Sequence, residues 1–238
     1  MTRQSLAYAL AAAGANVLGA VAVTSRARWS VRALDAVLAV AAGFMISVSM
    51  TDLLPEAIER QGHRGAVTAL AGYLLVHLTQ HTFARHFHFG EETHAVNEAV
   101  SMSALVGLLL HTFVDGVAIA SGFSVSPRLG ALVFVAILLH KFPEGLAISS
   151  LFLAAGAGRR KALGAAALLG LATVAGVVFT ERVSALGEHG LGLAAGVTLY
   201  VAASNLVPQF QTRPRWQLPI AFFAGCALYF AARAAVSL

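Results

Sequence analysis

Residues 111–121 read HTFVDGVAIAS and residues 140–150 read HKFPEGLAISS. Both fit H-x-F-x-(Asp/Glu)-G-x-A-I-x-S. Each copy sets a carboxylate four residues after a histidine, His111 with Asp115 and His140 with Glu144. On a helix, residues i and i+4 share one face, with Cβ atoms about 5–6 Å apart. Each helix would then present one imidazole and one carboxylate from a single stripe. Two such stripes face to face would surround a small space with two nitrogens and two carboxylates. That donor set suits a divalent first-row metal ion, zinc first and iron(II) or manganese next. Calcium and magnesium favour all-oxygen shells and rank low.

Both copies lie inside apolar runs. A charged residue at the centre of a membrane helix costs about 2.5–3.5 kcal/mol, so Asp115, Glu144 and Lys141 would together cost about 7–10 kcal/mol if they faced lipid. Packing alone does not justify such a cost. An ion pair of Lys141 with one carboxylate leaves both histidines unexplained, and a metal-free proton relay ranks below a metal site. Gly116 and Gly145 follow the two carboxylates, and small residues let membrane helices approach closely. Pro143 cannot donate to the carbonyl of Leu139, which predicts a broken helix there, tolerated where backbone lines a cavity or meets a neighbour. Pro55 and Pro208 would free the carbonyls of Thr51 and Ser204 in the same way.

The elements that must position these residues are membrane helices. Of 238 residues, 58% are hydrophobic and 11% charged, and the mean hydropathy is +0.76. Soluble domains carry roughly 25% charged residues. The net charge of +5 does not point to nucleic acid, because the basic residues sit at the ends of apolar runs rather than in one patch. The lone Cys226 excludes an intramolecular disulfide. Eight apolar segments fit, at about 5–24, 33–57, 66–84, 98–123, 129–154, 162–180, 190–210 and 217–236, with loops at 26–32, 59–65, 85–98, 124–128, 156–161, 181–190 and 211–216. Eight spans of roughly 20 residues consume nearly the whole chain, which predicts a single membrane domain over 1–238. The first run is longer than the apolar core of a signal peptide and is expected to stay as a membrane segment. Nine Lys/Arg fall in the loops after segments 1, 3, 5 and 7, and six on the opposite side. The positive-inside rule then puts both termini outside, most simply across a plasma (inner) membrane.

The repeated signature has a weaker companion: MTDLLPEA at 50–57 against ASNLVPQF at 203–210. Segments 4 and 5 cross in opposite directions, and so do 2 and 7. The expected fold is therefore an all-α integral membrane bundle of eight transmembrane helices with a 3+2+3 inverted repeat. Transporters of this kind bind substrate at the repeat interface near the midplane, and alternating access follows when one helix group rocks against the other. No G-x-x-x-x-G-K-[ST] loop is present, so ATP is not the driver. The alternative is an intramembrane zinc-dependent hydrolase. It is disfavoured because the chain has no H-E-x-x-H and no G-x-S-x-G. A metal-sensing scaffold ranks third. Asp52, near the outward end of segment 2, would attract cations at an entrance or reach water from the interface. Met45 and Ser49 precede it on roughly the same face and line a pathway or pack. Asn205 lines the pore or bonds across the bundle.

HTFVDGVAIASGF and LLHKFPEGLAISS resemble segments 4 and 5 of the ZIP (Zrt/Irt-like) family of divalent metal transporters, and GFMISVSMTDLLPEA resembles its second segment. The resemblance implies metal ligation by His111, Asp115, His140 and Glu144. It implies Zn2+ as cargo, with Fe2+, Mn2+ and Cd2+ as related ions, moved toward the cytosol. No organic cofactor and no nucleic acid are expected. The lipid bilayer is a partner, and a homodimer is one assembly open to the chain. Where some members carry ligands of a second site, this chain has Thr112 and Lys141, and Thr173 replaces a segment 6 carboxylate. One metal site follows, with the second empty or filled by the Lys141 ammonium. Asp115, Glu144 and Lys141 sum to −1, and a bound M2+ would make +1. Release of a proton from Lys141 would restore neutrality, so metal entry is expected to be linked to proton movement there. The stretch 77–94 holds His77 and His81 near the inner end of segment 3, then His86, His88 and His94. It resembles the family's His-bearing cytosolic loop, here at about 85–97, and reads as a low-affinity metal relay or sensor, or as a solvated polar loop.

Overall fold

A computed structural model describes residues 3–25, 31–82, 98–208 and 215–235. All regular elements among these residues are helical. They are α1 (Arg3–Thr24), α2 (Val31–Val48), α3 (Leu54–Gln61), α4 (His63–Thr82), α5 (Glu98–Val125), α6 (Pro127–Ala154), α7 (Arg159–Arg182), α8 (Ser184–Tyr200) and α9 (Gln217–Ala235). A π-helical turn, Ser49–Leu53, joins α2 to α3, and a second, Val201–Leu206, extends α8. Among the described residues, six helical stretches are long and apolar enough to cross a membrane: Gln4–Thr24, Asp35–Gln61, Ser101–Val125, Pro127–Ala154, Arg159–Arg182 and Gln217–Ala235. The other two expected segments correspond to α4 and α8. Polar His77, Gln80 and His81 dilute the first, and the regular part of the second is 17 residues long.

Three expected loops are not loops. The 59–65 stretch turns only at Gly62, whose φ of 58° suits a residue without a side chain. The 124–128 break is Ser126 alone, whose Oγ accepts from the Leu129 N–H at 3.1 Å while Pro127 opens α6. The 181–190 loop collapses to Val183, with Ser184–Gly190 helical. Charged residues in these stretches suggested loops. Helices that end outside hydrocarbon tolerate them in their terminal turns.

The three prolines act differently. Pro55 and Pro208 each follow a π-helical turn. The wider turn accommodates the missing N–H and the proline ring. Pro143, expected to break its helix, instead lies inside an uninterrupted α6. The neighbouring α1 braces that stretch, with Gly19 packed on the Phe142 carbonyl.

The helices pack as two groups. In one, α1 packs on α6 and α7, and α5 packs on α6 and α7. In the other, α2 packs on α9 and α4 on α8, and each π turn packs on the helix bearing the other. Contacts of α5 with α8 and of α2 with α6 join the groups. Each of the four main pairs crosses at reciprocal glycines, where a Cβ would overlap the facing backbone carbonyl. Gly145 lies on Asn16 and Gly19 on Phe142; Gly116 lies on Thr173 and Gly176 on Phe113. Gly43 and Gly225 play the same part between α2 and α9, and Gly72 and Gly196 between α4 and α8. Close backbone contact replaces the hydrophobic effect, which is absent between helices in lipid.

Candidate metal centre

The signature helices α5 and α6 face each other, and their stripes meet. One ligand atom from each of His111, Asp115, His140 and Glu144 falls within 4.8 Å of the others, and all four residues are buried. Three groups converge on a single oxygen, Asp115 Oδ2: His140 Nε2 at 3.3 Å, His111 Nε2 at 3.5 Å and Lys141 Nζ at 2.6 Å. Lys141, fully buried, also bonds Glu144 Oε2 at 2.7 Å. The ammonium therefore bridges the two carboxylates.

His140 Nδ1 lies 2.9 Å from the Ala136 carbonyl. A carbonyl only accepts, so Nδ1 carries the proton of that bond. In the neutral ring Nε2 then keeps its lone pair and turns it toward Asp115. A lone pair facing a carboxylate oxygen calls for a cation between them. The second oxygen of Glu144, Oε1, and Nδ1 of His111 are buried without a hydrogen-bond partner among the described residues. Buried polar atoms without partners beside this cluster fit the donor set of a metal ion. Two imidazoles and two carboxylates suit zinc and its first-row neighbours.

A cavity adjoins the cluster, lined by His111, His140 and Glu144 and also by Gln80, Ala147 and Asn205. Gln80 is near the end of α4, Asn205 in the π turn ending α8, and Leu38, also lining, near the start of α2. The cavity thus extends toward the end of the bundle with more Lys/Arg in its loops.

The other sequence candidates scatter. Thr112 is buried, and its Oγ1 donates to the Leu108 carbonyl of its own helix at 2.9 Å. Met45 is a core residue beside Phe44 and Val48. Ser49 Oγ donates to the Ala195 carbonyl at 2.7 Å, tying the first π turn to α8. Asp52 accepts from the Tyr229 hydroxyl and pairs with Arg233 at 3.4 Å, while Thr51 also bonds Tyr229. It binds α9 to α2 and takes no part in the cluster. Asn205 lines the cavity. His77 packs edge-on against Tyr200, with ring centroids 5.8 Å apart. His81 falls in the last turn of α4. His86, His88 and His94, with most of the 85–97 loop, lie outside the described residues.

Asn16 and Gln80 were passed over. Asn16 is fully buried on α1 opposite Gly145, and both of its side-chain polar atoms lack partners among the described residues. Its signal was present, since an amide in the middle of an apolar segment is costly there.

A buried two-histidine, two-carboxylate cluster within a bundle of membrane-length helices is the arrangement of a membrane protein that could hold a divalent metal ion. The profile described as ZIP Zinc transporter matches residues 86–232. That is more than half of the chain, and the chain belongs to the ZIP zinc transporter family. Members are multi-pass membrane proteins that transport divalent metal ions and are not enzymes, which sets the hydrolase alternative aside. A search of curated proteins finds no match.

Proposed function

We propose that the chain moves Zn2+, or a related divalent transition-metal ion such as Fe2+, Mn2+ or Cd2+, toward the cytosol by alternating access through one intramembrane site. His111, Asp115, His140 and Glu144 are its ligands. The observation that carries this is their convergence within 4.8 Å, beside a cavity whose described lining includes Leu38, Gln80 and Asn205. The helices of the 3+2+3 arrangement cross eight times with both termini outside, so the cavity faces the cytosol.

The inverted repeat is supported by the packing. Exchange α1 with α7, α2 with α8, α4 with α9 and α5 with α6, and each close glycine crossing maps onto another. Gly43 precedes Pro55 by the same twelve residues that separate Gly196 from Pro208. All four ligands belong to the group α1, α5, α6 and α7. Rocking of this group against α2, α4, α8 and α9 would therefore carry the ion with it, exposing the site first outside and then inside. Lys141 occupies the place of a second ion, so an entering metal must displace its ammonium from both carboxylates. Uptake of Zn2+, Fe2+, Mn2+ and Cd2+ into proteoliposomes tests the proposal. Wild type should show flux that His140→Ala and Glu144→Ala abolish; flux indifferent to both changes would remove the site assignment.

A further inference from the structure

Asp115 and Glu144 offer to a metal the same oxygens that hold the Lys141 ammonium, at 2.6 and 2.7 Å. A divalent ion and an ammonium cannot share them. Lys141 is fully buried and is not among the residues that line the cavity, so its displaced ammonium stays within the packed helices. It needs an acceptor inside the protein. Lys141 and Gly145 are four residues apart and share a stripe of α6. That stripe faces α1, because Gly145 rests on the backbone carbonyl of Asn16. The Asn16 amide is buried there with both Oδ1 and Nδ2 unpartnered. An unpaired buried amide is costly and calls for a reason.

The related position on the other signature helix supplies the contrast. Thr112 stands where Lys141 stands, and Gly116 rests on Thr173 of α7 as Gly145 rests on Asn16. Both threonines are satisfied within their own helices, Thr112 by Leu108 O at 2.9 Å and Thr173 by Leu169 O at 3.5 Å. Of these two glycine crossings, the one beside the lysine keeps an unused amide among the described residues. We propose that Asn16 Oδ1 receives the Lys141 ammonium when a divalent ion takes Asp115 and Glu144, which makes Asn16 a positioning residue for metal entry. The proposal rests on the metal assignment of the cluster. A lysine stem has the rotational freedom for such a swing, and no bond is made or broken.

The test is a double-mutant cycle on Zn2+ affinity, measured by calorimetry on the purified full-length protein. Asn16→Leu should weaken Zn2+ binding about tenfold or more when Lys141 is present, and less than about twofold in a Lys141→Met background, because coupled groups are non-additive. Asn16→Gln, which keeps the acceptor, should restore most of the loss. The metal-free Asn16→Leu protein should melt no lower than wild type, since leucine replaces an unpaired amide. Equal losses in both backgrounds, or no loss with Lys141 present, would overturn the role of Asn16 while leaving the metal site standing. Absence of Zn2+ binding by the wild type would overturn both.

Discussion

Replacing Lys141 with methionine sets two large effects against each other, and their signs differ between the metal-free and metal-bound states. Without metal, the ammonium is the cation lying between two buried carboxylates, at 2.6 and 2.7 Å. Removing one partner of a buried ion pair costs about 3–5 kcal/mol, because the remaining charge is left uncompensated. With metal, the same ammonium is a like charge beside the ion. At about 4 Å and an effective dielectric constant of about 20, the repulsion between a divalent ion and the ammonium is about 8 kcal/mol, near a millionfold in affinity. An ammonium that retreats from the ion reduces this to between about tenfold and a thousandfold. Lys141→Met should therefore melt at a lower temperature than wild type without metal, and should gain more on adding Zn2+. The assay is thermal unfolding in detergent across a Zn2+ titration, since ligand stabilisation grows with concentration over Kd. Zinc binding weaker than wild type, or an equal Zn2+-induced shift in both proteins, would refute this account. Transport should show a lower KM with a lower kcat, because a tightly held ion leaves slowly.

Other outcomes follow from single contacts. Gly145→Ala should destabilise the protein by about 1–3 kcal/mol through overlap with the Asn16 carbonyl. Gly14→Ala, on α1 with open space around it, should be neutral or slightly stabilising in the same unfolding assay. Tyr229→Phe removes the hydroxyl that bonds Asp52 and Thr51, and should cost about 0.5–1.5 kcal/mol while leaving Zn2+ affinity within about threefold. Asn205→Leu places an apolar side chain on the cavity wall. It should lower Zn2+ flux in proteoliposomes while calorimetric affinity stays within about threefold, because Asn205 lies outside the ligand cluster.

The sequence alone determined which four side chains meet. A histidine and a carboxylate at i and i+4 must share a helix face, and charge in hydrocarbon must be paired, so the two signatures predict one four-residue cluster. Apolar length located the helices to within a few residues, except where charged terminal turns looked like loops, as at 181–190. The glycines after the carboxylates announced close packing. Their partners could not be read, because which carbonyl meets Gly145 depends on where α1 crosses α6. Tertiary structure alone decided that Lys141 bridges both carboxylates and that Asp52 is held by Tyr229 and Arg233. It also decided that Pro55 and Pro208 follow π turns while Pro143 rides in a regular helix. Spacing along one helix is local and periodic, so residue order encodes it. Contacts between helices depend on crossing points set by the packing of the whole bundle, and only the folded chain contains them.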